Sequence, residues 1–297
     1  MGIYKSMACA ITMIIISGSS AFAEDYEILL ERPAKVGQKY ELAVSGERSS
    51  ETTTSMQGKV VREEKTALSA MFEGTVTVLK IDELKRESEL KVVVSKCSKK
   101  VDGNDTAQEV LAKGVEFVVR LKGIEEEFLI DGKVVSKELA EVLDVLFDLP
   151  EMKITEDDTF GTKDRKKVGD SWAMNSEMMA KGFASNGSEV EAENIKGSME
   201  LEKVVEVDGK KCLRINGKFK MSKFGLPLQA WMSVEKSSMS GTSSGDFPVD
   251  MSIGRLVERM SMTMGCVAKG KPTPETPEIT VTVNGISSKQ MKRKYLK

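Results

Sequence analysis

The sequence predicts a mainly β (α+β) fold, in which antiparallel curved sheets are built from two related halves with one or two short helices. Three observations lead to this prediction. Apolar and polar residues alternate along most of the chain, Asp-Gly and Asn-Gly turn signals separate the alternating segments, and a short motif occurs twice. Because one side of each alternating segment is apolar, these segments are typical of antiparallel strands that bury one face.

Residues 1–23 have the features of a secretory signal peptide. Lys5 gives a positive n-region, residues 7–16 form an apolar stretch, and Ala23 ends a small-x-small cleavage site. The apolar stretch is too short to cross a bilayer as a helix. We therefore expect cleavage after Ala23 and a mature chain that begins at Glu24, has no transmembrane anchor, and lies in the periplasm or outside the cell.

The first half, residues 24–150, opens with predicted strands. Tyr40, Leu42 and Val44 alternate with polar residues, and several further segments repeat the same spacing. The last of these segments ends at an Asp-Gly pair, 131–132, which is typical of a two-residue β-hairpin turn. This half is therefore expected to form a sheet with one apolar face.

Two segments of the first half have helical patterns. Residues 136–149 carry a single apolar stripe at helical spacing, with Ser136 in the N-cap position and Pro150 as the stop signal. Residues 106–113 form a second predicted helix, with Asp105 as its cap. The helix over 136–149 is expected to pack on a face of the sheet.

A polar segment, residues 151–166, is predicted to link the first half to a second β-rich half, residues 167–270. Within the second half, an Asp-Gly pair at 208–209 lies between two alternating segments and predicts a hairpin. Residues 181–188 and 237–247 are rich in small and polar residues, so both are predicted to be exposed loops.

Residues 271–297 form the C-terminal segment. They begin with three closely spaced prolines, which predict a stiff connector. Alternating apolar residues then run to Asn284-Gly285, a pair that favours a tight turn. The segment is therefore predicted to end in a C-terminal hairpin.

Two matched motifs suggest that the halves are related by duplication. The Lys-Val-Gly motif of residues 35–40 recurs at 167–172, with an aromatic residue in the final position both times. The strand-like segment 73–80 resembles 196–203. The motifs occur in the same order, so an internal repeat is predicted, with insertions or deletions between the motifs.

Composition excludes several classes of function. The chain has no histidine, so catalytic triads that need imidazole, zinc sites that need histidine, and facial-triad iron sites are all excluded. The 44 basic and 46 acidic residues give a net charge of -2, which provides no electrostatic footprint for nucleic acid. No cofactor motif is present, and no cofactor or metal is predicted.

Three cysteines remain after the predicted cleavage: Cys97, Cys212 and Cys266. In an oxidising compartment they allow at most one disulfide, with one thiol left over. Each lies in a strand-like apolar pattern, so three buried, unreactive thiols are an equally good interpretation.

A methionine-rich row provides the candidate ligand site. The even positions from Leu256 to Cys266 share one side of a predicted strand, and Glu258 is the single charged residue among them. Flexible thioether side chains suit a surface that accepts varied apolar ligands, although methionine also fills ordinary protein cores. The predicted ligand-binding residues are Met260, Met262, Met264, Trp231, Met232 and Glu258. Glu258 must reach solvent, pair with a cation such as Arg255 or Arg259, or bind a polar ligand head.

These features favour an exported binding or scaffold protein of the cell envelope that is not an enzyme. Its Met-rich concave sheet face would take a lipid or an apolar peptide. An assembly protein that acts through sheet edges is the first alternative. A histidine-free hydrolase that uses carboxylates such as Asp157 and Asp158 is the second.

The order of the motifs resembles an uncharacterised family of exported, β-rich bacterial proteins. The resemblance rests on the two Lys-Val-Gly motifs at 35–40 and 167–172, on Gly-Thr-Val-Thr-Val at 74–78, and on Ile-Gly-Arg-Leu-Val at 253–257. It covers most of residues 33–268 and implies no activity, cofactor or catalytic residue. The predicted arrangement of curved sheets covered by a helix also resembles, in architecture alone, the half-barrels of periplasmic lipoprotein carriers.

Overall fold

The computed structural model describes residues 24–101, 106–123, 125–150, 154–185, 187–226 and 228–296. The predicted signal peptide and Asp105 lie outside these ranges. The strands are β1 (Lys39–Met56), β2 (Lys59–Ile81), β3 (Glu87–Val101), β4 (Gln108–Leu111), β5 (Glu116–Lys122), β6 (Glu125–Ile130), β7 (Lys133–Val134), β8 (Ser171–Ala173), β9 (Ile195–Val207), β10 (Lys210–Ser222), β11 (Met232–Pro248), β12 (Val257–Gly270) and β13 (Ile279–Tyr295). The helices are α1 (Lys137–Asp144), α2 (Glu156–Phe160) and α3 (Ser176–Ser185), with a single 3₁₀ turn at Ala192–Asn194.

All thirteen strands belong to one curved, open, antiparallel sheet, which confirms the predicted fold class. The strand order is β7-β6-β5-β3-β2-β1-β13-β12-β11-β10-β9-β8, and β4 pairs with β3 beside this path. The C-terminal strand β13 lies between β1 and β12, so it joins the strands of the first half to those of the second. The two halves therefore form a continuous sheet.

The predicted Asp-Gly hairpins are present. Asp131 and Gly132 connect β6 to β7, and Asp208 and Gly209 connect β9 to β10. All four residues have positive φ angles between 49° and 74°, the left-handed conformation that two-residue hairpin turns require. Asp and Gly tolerate that conformation better than most residues, which is why these two turns could be recognised in the sequence.

The predicted C-terminal hairpin is wrong. β13 continues through Asn284 and Gly285 without a turn, and neither residue has a positive φ angle. Asn284 lies opposite Glu51 of β1 and Gly265 of β12, so both neighbouring strands hold it extended. Pairing on both sides of the strand outweighs the local turn preference.

The two predicted helices of the first half also differ from the structure. α1 begins where expected, and Ser136 Oγ accepts a hydrogen bond from Leu139 N (3.4 Å). It ends at Asp144, and the chain then follows a tight turn that still buries Leu146 and Leu149. The segment predicted as a helix over 106–113 instead contains β4, because its residues pair with the free edge of β3.

The predicted loops of the second half are largely regular structure. Residues 237–247 lie within β11, and residues 181–185 lie within α3. The serines and glycines of β11 suit its position, since the Phe219 ring lies over Gly241 and leaves no room there for a side chain. Small residues here therefore reflect close packing instead of an exposed loop.

The two Lys-Val-Gly motifs form turns with the same hydrogen bonds. Gly37 N donates to Val78 O (2.8 Å), and Val78 N donates back to the residue after Gly37 (2.9 Å). Gly169 N donates to Leu201 O (2.8 Å), and Leu201 N donates back in the same way (3.0 Å). Val78 and Leu201 also occupy matching positions in the second pair of repeated segments. Duplication of the halves stays a prediction, to which this shared geometry adds support.

The two large apolar cores lie on one face of the sheet, which we call the inner face. Directly opposite residues across the central strands share that face: Val44, Met291, Glu258, Gly245, Ile215 and Leu201. Val44 belongs to the first core, beneath α1, while Ile215 and Leu201 belong to the second core, beside α3. The middle of the inner face, around Met291 and Glu258, therefore lies between two cores.

Of the segment predicted as a linker, residues 151–166, the described part, 154–166, crosses this middle region and contains α2. Thr155 and Asp158 form a reciprocal capping box at the start of α2. Asp157 accepts hydrogen bonds from Leu30 N (2.8 Å) and Glu31 N (3.0 Å), which fastens the N-terminal segment to α2. None of the helices in the described ranges is long and apolar enough to span a membrane.

Candidate functional site

The three predicted methionines of β12 lie together on the inner face. Met260 lies opposite Lys289 of β13, Met262 lies opposite Ser287, and Met264 lies opposite Gly285. All three side chains are half-buried, whereas the intervening residues of β12 are exposed on the other face. The alternation predicted from the sequence is therefore present.

These methionines extend from the middle of the inner face towards the second core. Met264 packs against that core. The side chains of Met262 and Phe219 both lie close to Gly241, whose missing side chain leaves them room. Met260, at the other end of the row, lines a cavity. The row thus includes packed side chains at one end and a cavity wall at the other.

Trp231 and Met232 lie apart from the methionine row. Met232 is opposite Gly270, six residues beyond Met264 on β12, which places it roughly 20 Å further along the strand at about 3.3 Å per residue. Trp231 Nε1 donates to Gln229 Oε1 (2.6 Å) within the same connection. The six predicted residues therefore do not form a single site.

The cavity beside Met260 has a volume of about 400 Å³. It lies between the central strands β1, β12 and β13 and two crossing segments, residues 30–34 and the described residues of the stretch that follows α1, 146–150 and 154–160. Its apolar lining includes Leu42, Leu90, Leu146, Phe147, Met260 and Met291. Its charged lining includes Glu31, Arg32, Arg86, Glu87, Asp148, Glu156, Arg255, Glu258, Lys289 and Arg293. The cavity therefore has both apolar and charged walls.

Glu258 is paired with Arg255, which is one of the three alternatives that the sequence left open for this residue. Its Oε1 lies 3.3 Å from Arg255 Nη1, and Arg255 Nη2 lies 2.7 Å from Glu156 Oε1. Glu156 belongs to α2, so Arg255 joins the crossing segment to the strands. The Arg255 guanidinium also lies over the Phe247 ring, 5.3 Å from its centre.

Arg293 forms a second paired group. Its Nη2 lies 3.6 Å from Glu87 Oε2, and its guanidinium lies 5.1 Å from the centre of the Tyr40 ring. Tyr40 donates its hydroxyl hydrogen to the same carboxylate oxygen (3.0 Å). Glu87 therefore holds both the tyrosine and the arginine in place.

Arg32 differs from these two arginines because it has no ion pair among the described residues. Only 9% of Arg32 is exposed, and its Nη2 donates to the carbonyl oxygen of Pro248 (3.2 Å). Its Nε and Nη1 have no hydrogen-bond partner within the described ranges, and the same is true of the Nε atoms of Arg255 and Arg293. Buried guanidinium N–H groups without acceptors are costly, so this grouping calls for an explanation.

Three carboxyl groups of the cavity wall, those of Glu31, Asp148 and Glu156, have pKa values raised above the usual range. Burial raises the pKa of Glu31, and the nearby Glu156 carboxyl adds to the effect. Burial likewise raises the pKa of Glu156 and of Asp148. Removal from water disfavours the ionised form of each acid, so the arginine charges are less fully balanced than a count of residues suggests.

The cysteines and the two aspartates considered for catalysis have structural positions. Cys97, Cys212 and Cys266 are buried free thiols, and burial raises the pKa of Cys97 and of Cys212 to about 11. Thiols of this kind are poor nucleophiles. Asp157 and Asp158 accept the backbone and side-chain hydrogen bonds that fix α2. Within the described ranges no three Cys, Asp or Glu side chains are grouped to hold a metal ion.

The sequence interpretation missed the arginines of the cavity. Arg293 lies in a short basic run, 292–294, a composition typical of solvated surface. In β13 its neighbours Lys292 and Lys294 are indeed exposed, but Arg293 shares the inner face with Met291 and Tyr295. The alternation of these residues was a signal for an inward arginine, whereas nothing local marks Arg32.

No family model and no curated protein matches this chain. Among solved structures, it is similar to the lipovitellin structure titled for its lipid-protein interactions, with 6% identity, a TM-score of 0.32, and coverage of 88% of this chain and 25% of lipovitellin. It is also similar to OpdQ of Pseudomonas aeruginosa (8% identity, TM-score 0.22, 85% and 98% coverage). A LolA superfamily protein of Nitrosomonas europaea matches with 8% identity, a TM-score of 0.15, and 90% coverage of each chain. The chain thus spans a quarter of the lipovitellin chain, and likenesses this low carry no functional argument.

Proposed function

We propose that this protein is an exported, non-catalytic binding protein that holds an amphiphilic molecule in the cavity between its two cores. The observation that carries the proposal is the cavity itself, about 400 Å³ in volume, with apolar residues on one side and charged residues on the other. Cavities that bind small ligands are typically of this size, and they combine apolar walls with a few convergent polar groups.

The methionine row supplies a path for an apolar chain. Met260 lines the cavity, and Met262 and Met264 continue from it on the same face. At about 3.3 Å per residue, the row extends roughly 13 Å along β12. Half-buried thioether side chains adapt to chains of different shape, which favours a lipid over a ligand of fixed outline.

The sheet edges offer less support for the alternative of assembly through strand addition. The two terminal strands of the main path, β7 and β8, have two and three residues. Such short strands present few free backbone groups to a partner, and short edge strands are a common protection against edge-to-edge association. We therefore place the binding function in the cavity.

Native mass spectrometry of the full chain, expressed with its leader and purified from the compartment to which it is exported, tests this proposal. We expect a bound species of a few hundred daltons or more that organic solvent extracts as a lipid. Met260→Trp should remove most of this species, because the larger, rigid ring obstructs the cavity where the methionine row begins. Gln290→Trp is the matched control, since Gln290 is exposed on the opposite face of the neighbouring strand.

Two results would contradict the proposal. One is a ligand-free protein that also takes up no lipid from added vesicles of bacterial phospholipid. The other is a lipid that stays bound to folded Met260→Trp but is absent from folded Gln290→Trp. That result would place the ligand on the outer face.

A further inference from the structure

We propose that Arg32, with Arg255 and Arg293, forms a site for an oxyanion at the charged wall of the cavity, so that the ligand head is a carboxylate or a phosphate. This inference rests on the proposed function and assigns the chemistry of the ligand head. The three arginines line the same cavity and together carry four nitrogen atoms whose N–H groups have no acceptor among the described residues.

The excess of donors determines the kind of ligand. A guanidinium has five N–H groups and accepts no hydrogen bond, so only acceptor atoms satisfy it. Carboxylate and phosphate oxygens match its fork geometry and neutralise its charge together. A neutral hydroxyl head supplies a single acceptor and leaves the charge of Arg32 unpaired.

Arg32 is the arginine of the wall that has no carboxylate partner among the described residues. Arg255 already has two carboxylate partners and Arg293 has one. The two acids that act most strongly on the charge of Arg32, Asp157 and Asp250, are engaged elsewhere. Asp157 accepts the backbone hydrogen bonds of the N-terminal segment, and Asp250 accepts from Ser252 N (3.0 Å) and Ser252 Oγ (2.7 Å).

Three of the other acids of the wall are partly removed from water. Burial raises the pKa values of Glu31, Glu156 and Asp148, so their ionised forms are less favoured than those of surface acids. The wall can therefore accept an oxyanion even though acidic and basic residues occur there in equal numbers.

Isothermal titration calorimetry of the mature chain with three probes tests the site. Dodecanoate carries the apolar chain and the oxyanion, dodecanol carries the chain alone, and inorganic phosphate carries the oxyanion alone. We expect dodecanoate to bind about tenfold or more tighter than dodecanol, the effect of one charge-assisted pair. Measurable phosphate binding that competes with dodecanoate would assign the site to a free ion as well as to a lipid head, and would support the oxyanion site.

In Arg32→Gln, the affinity for dodecanoate should fall to within about threefold of the affinity for dodecanol. The affinity for dodecanol should be retained. Lys35→Gln is the matched control, because it removes the same charge from an exposed residue three positions away. Thermal unfolding establishes that each variant folds. If Arg32→Gln does not fold, the ratio of the dodecanoate and dodecanol affinities of the unmodified protein still decides whether the oxyanion site exists.

Equal binding of dodecanoate and dodecanol by the unmodified protein would overturn the oxyanion site and leave the proposed function intact. Retention of the full preference in folded Arg32→Gln would also overturn it. If neither amphiphile binds, the proposed function fails, and phosphate binding alone then decides whether an oxyanion site exists.

Discussion

Glu126 is expected to make the stability of this protein fall as pH rises from about 4.5 to 7. Burial raises the pKa of its carboxyl group to about 7, and the Leu149 backbone N–H donates to its Oε1, while Oε2 has no partner among the described residues. In this pH range the folded protein binds a proton at Glu126 that the unfolded chain has already released. Stability therefore decreases with rising pH, since the unfolded state binds fewer protons.

The size of the effect follows from the difference between the two pKa values. The folded value of about 7 exceeds the ordinary value of 4.5 by roughly 2.5 pH units, and each unit corresponds to about 1.4 kcal/mol. The unmodified protein should thus lose about 3 kcal/mol between pH 4.5 and pH 8 through this residue. Glu126→Gln keeps an oxygen for the Leu149 N–H but cannot ionise, so it should not show this loss.

Urea unfolding of the unmodified protein and of Glu126→Gln is measured at pH 4.5, 6 and 8. The contribution of Glu126 is the change with pH in the difference between their free energies of unfolding. Glu127→Gln is the control, because hydrogen bonding from Arg120 lowers the pKa of Glu127 and so moves its titration out of the range between pH 4.5 and 8. Glu127 therefore contributes stability at neutral pH that is lost as pH falls through its folded pKa. A stability difference between Glu126→Gln and the unmodified protein that stays constant with pH would refute the reasoning.

Three substitutions on the inner face test the packing. Met262→Ala should cost about 1 to 2 kcal/mol by urea unfolding, because the side chain is half-buried, and should also lower uptake of a hydrophobic dye; a larger loss with unchanged uptake would make Met262 a core residue only. Gly241→Ala should cost about 1 to 3 kcal/mol, since the Phe219 ring occupies the space for a side chain, and a neutral effect would contradict that contact. Leu143→Ala, at a fully buried position of α1, should cost about 2 to 5 kcal/mol, and a cost below 1 kcal/mol would show that α1 is not docked as described.

Local sequence signals predicted those parts of the fold that local interactions determine. The alternation at Tyr40, Leu42 and Val44 and the Asp-Gly turns depend on neighbouring residues alone, and the structure contains them. The Asn284-Gly285 turn failed because two distant strands, β1 and β12, hold that segment extended. The same long-range pairing converted the predicted loop over 237–247 into β11.

The part of the candidate site that depends on local alternation could be predicted, and the part that depends on distant contacts could not. Strand alternation placed Met260, Met262 and Met264 on one face, since period-two patterns need no knowledge of partners. The position of Arg32 depends on the crossing of the N-terminal segment over Pro248, residues far apart in the chain. No spacing in the sequence reports such a contact, and so the charged wall of the cavity could not be foreseen.

A crystal structure with bound 12-bromododecanoate tests the central claim most directly. Anomalous scattering locates the bromine, and the electron density locates the carboxylate. We predict one ligand on the inner face, with its carboxylate within hydrogen-bond distance of Arg32 and its apolar chain in contact with Met260. A ligand bound on the outer face, or a cavity that stays free of ligand while bromine appears elsewhere on the protein, would contradict it.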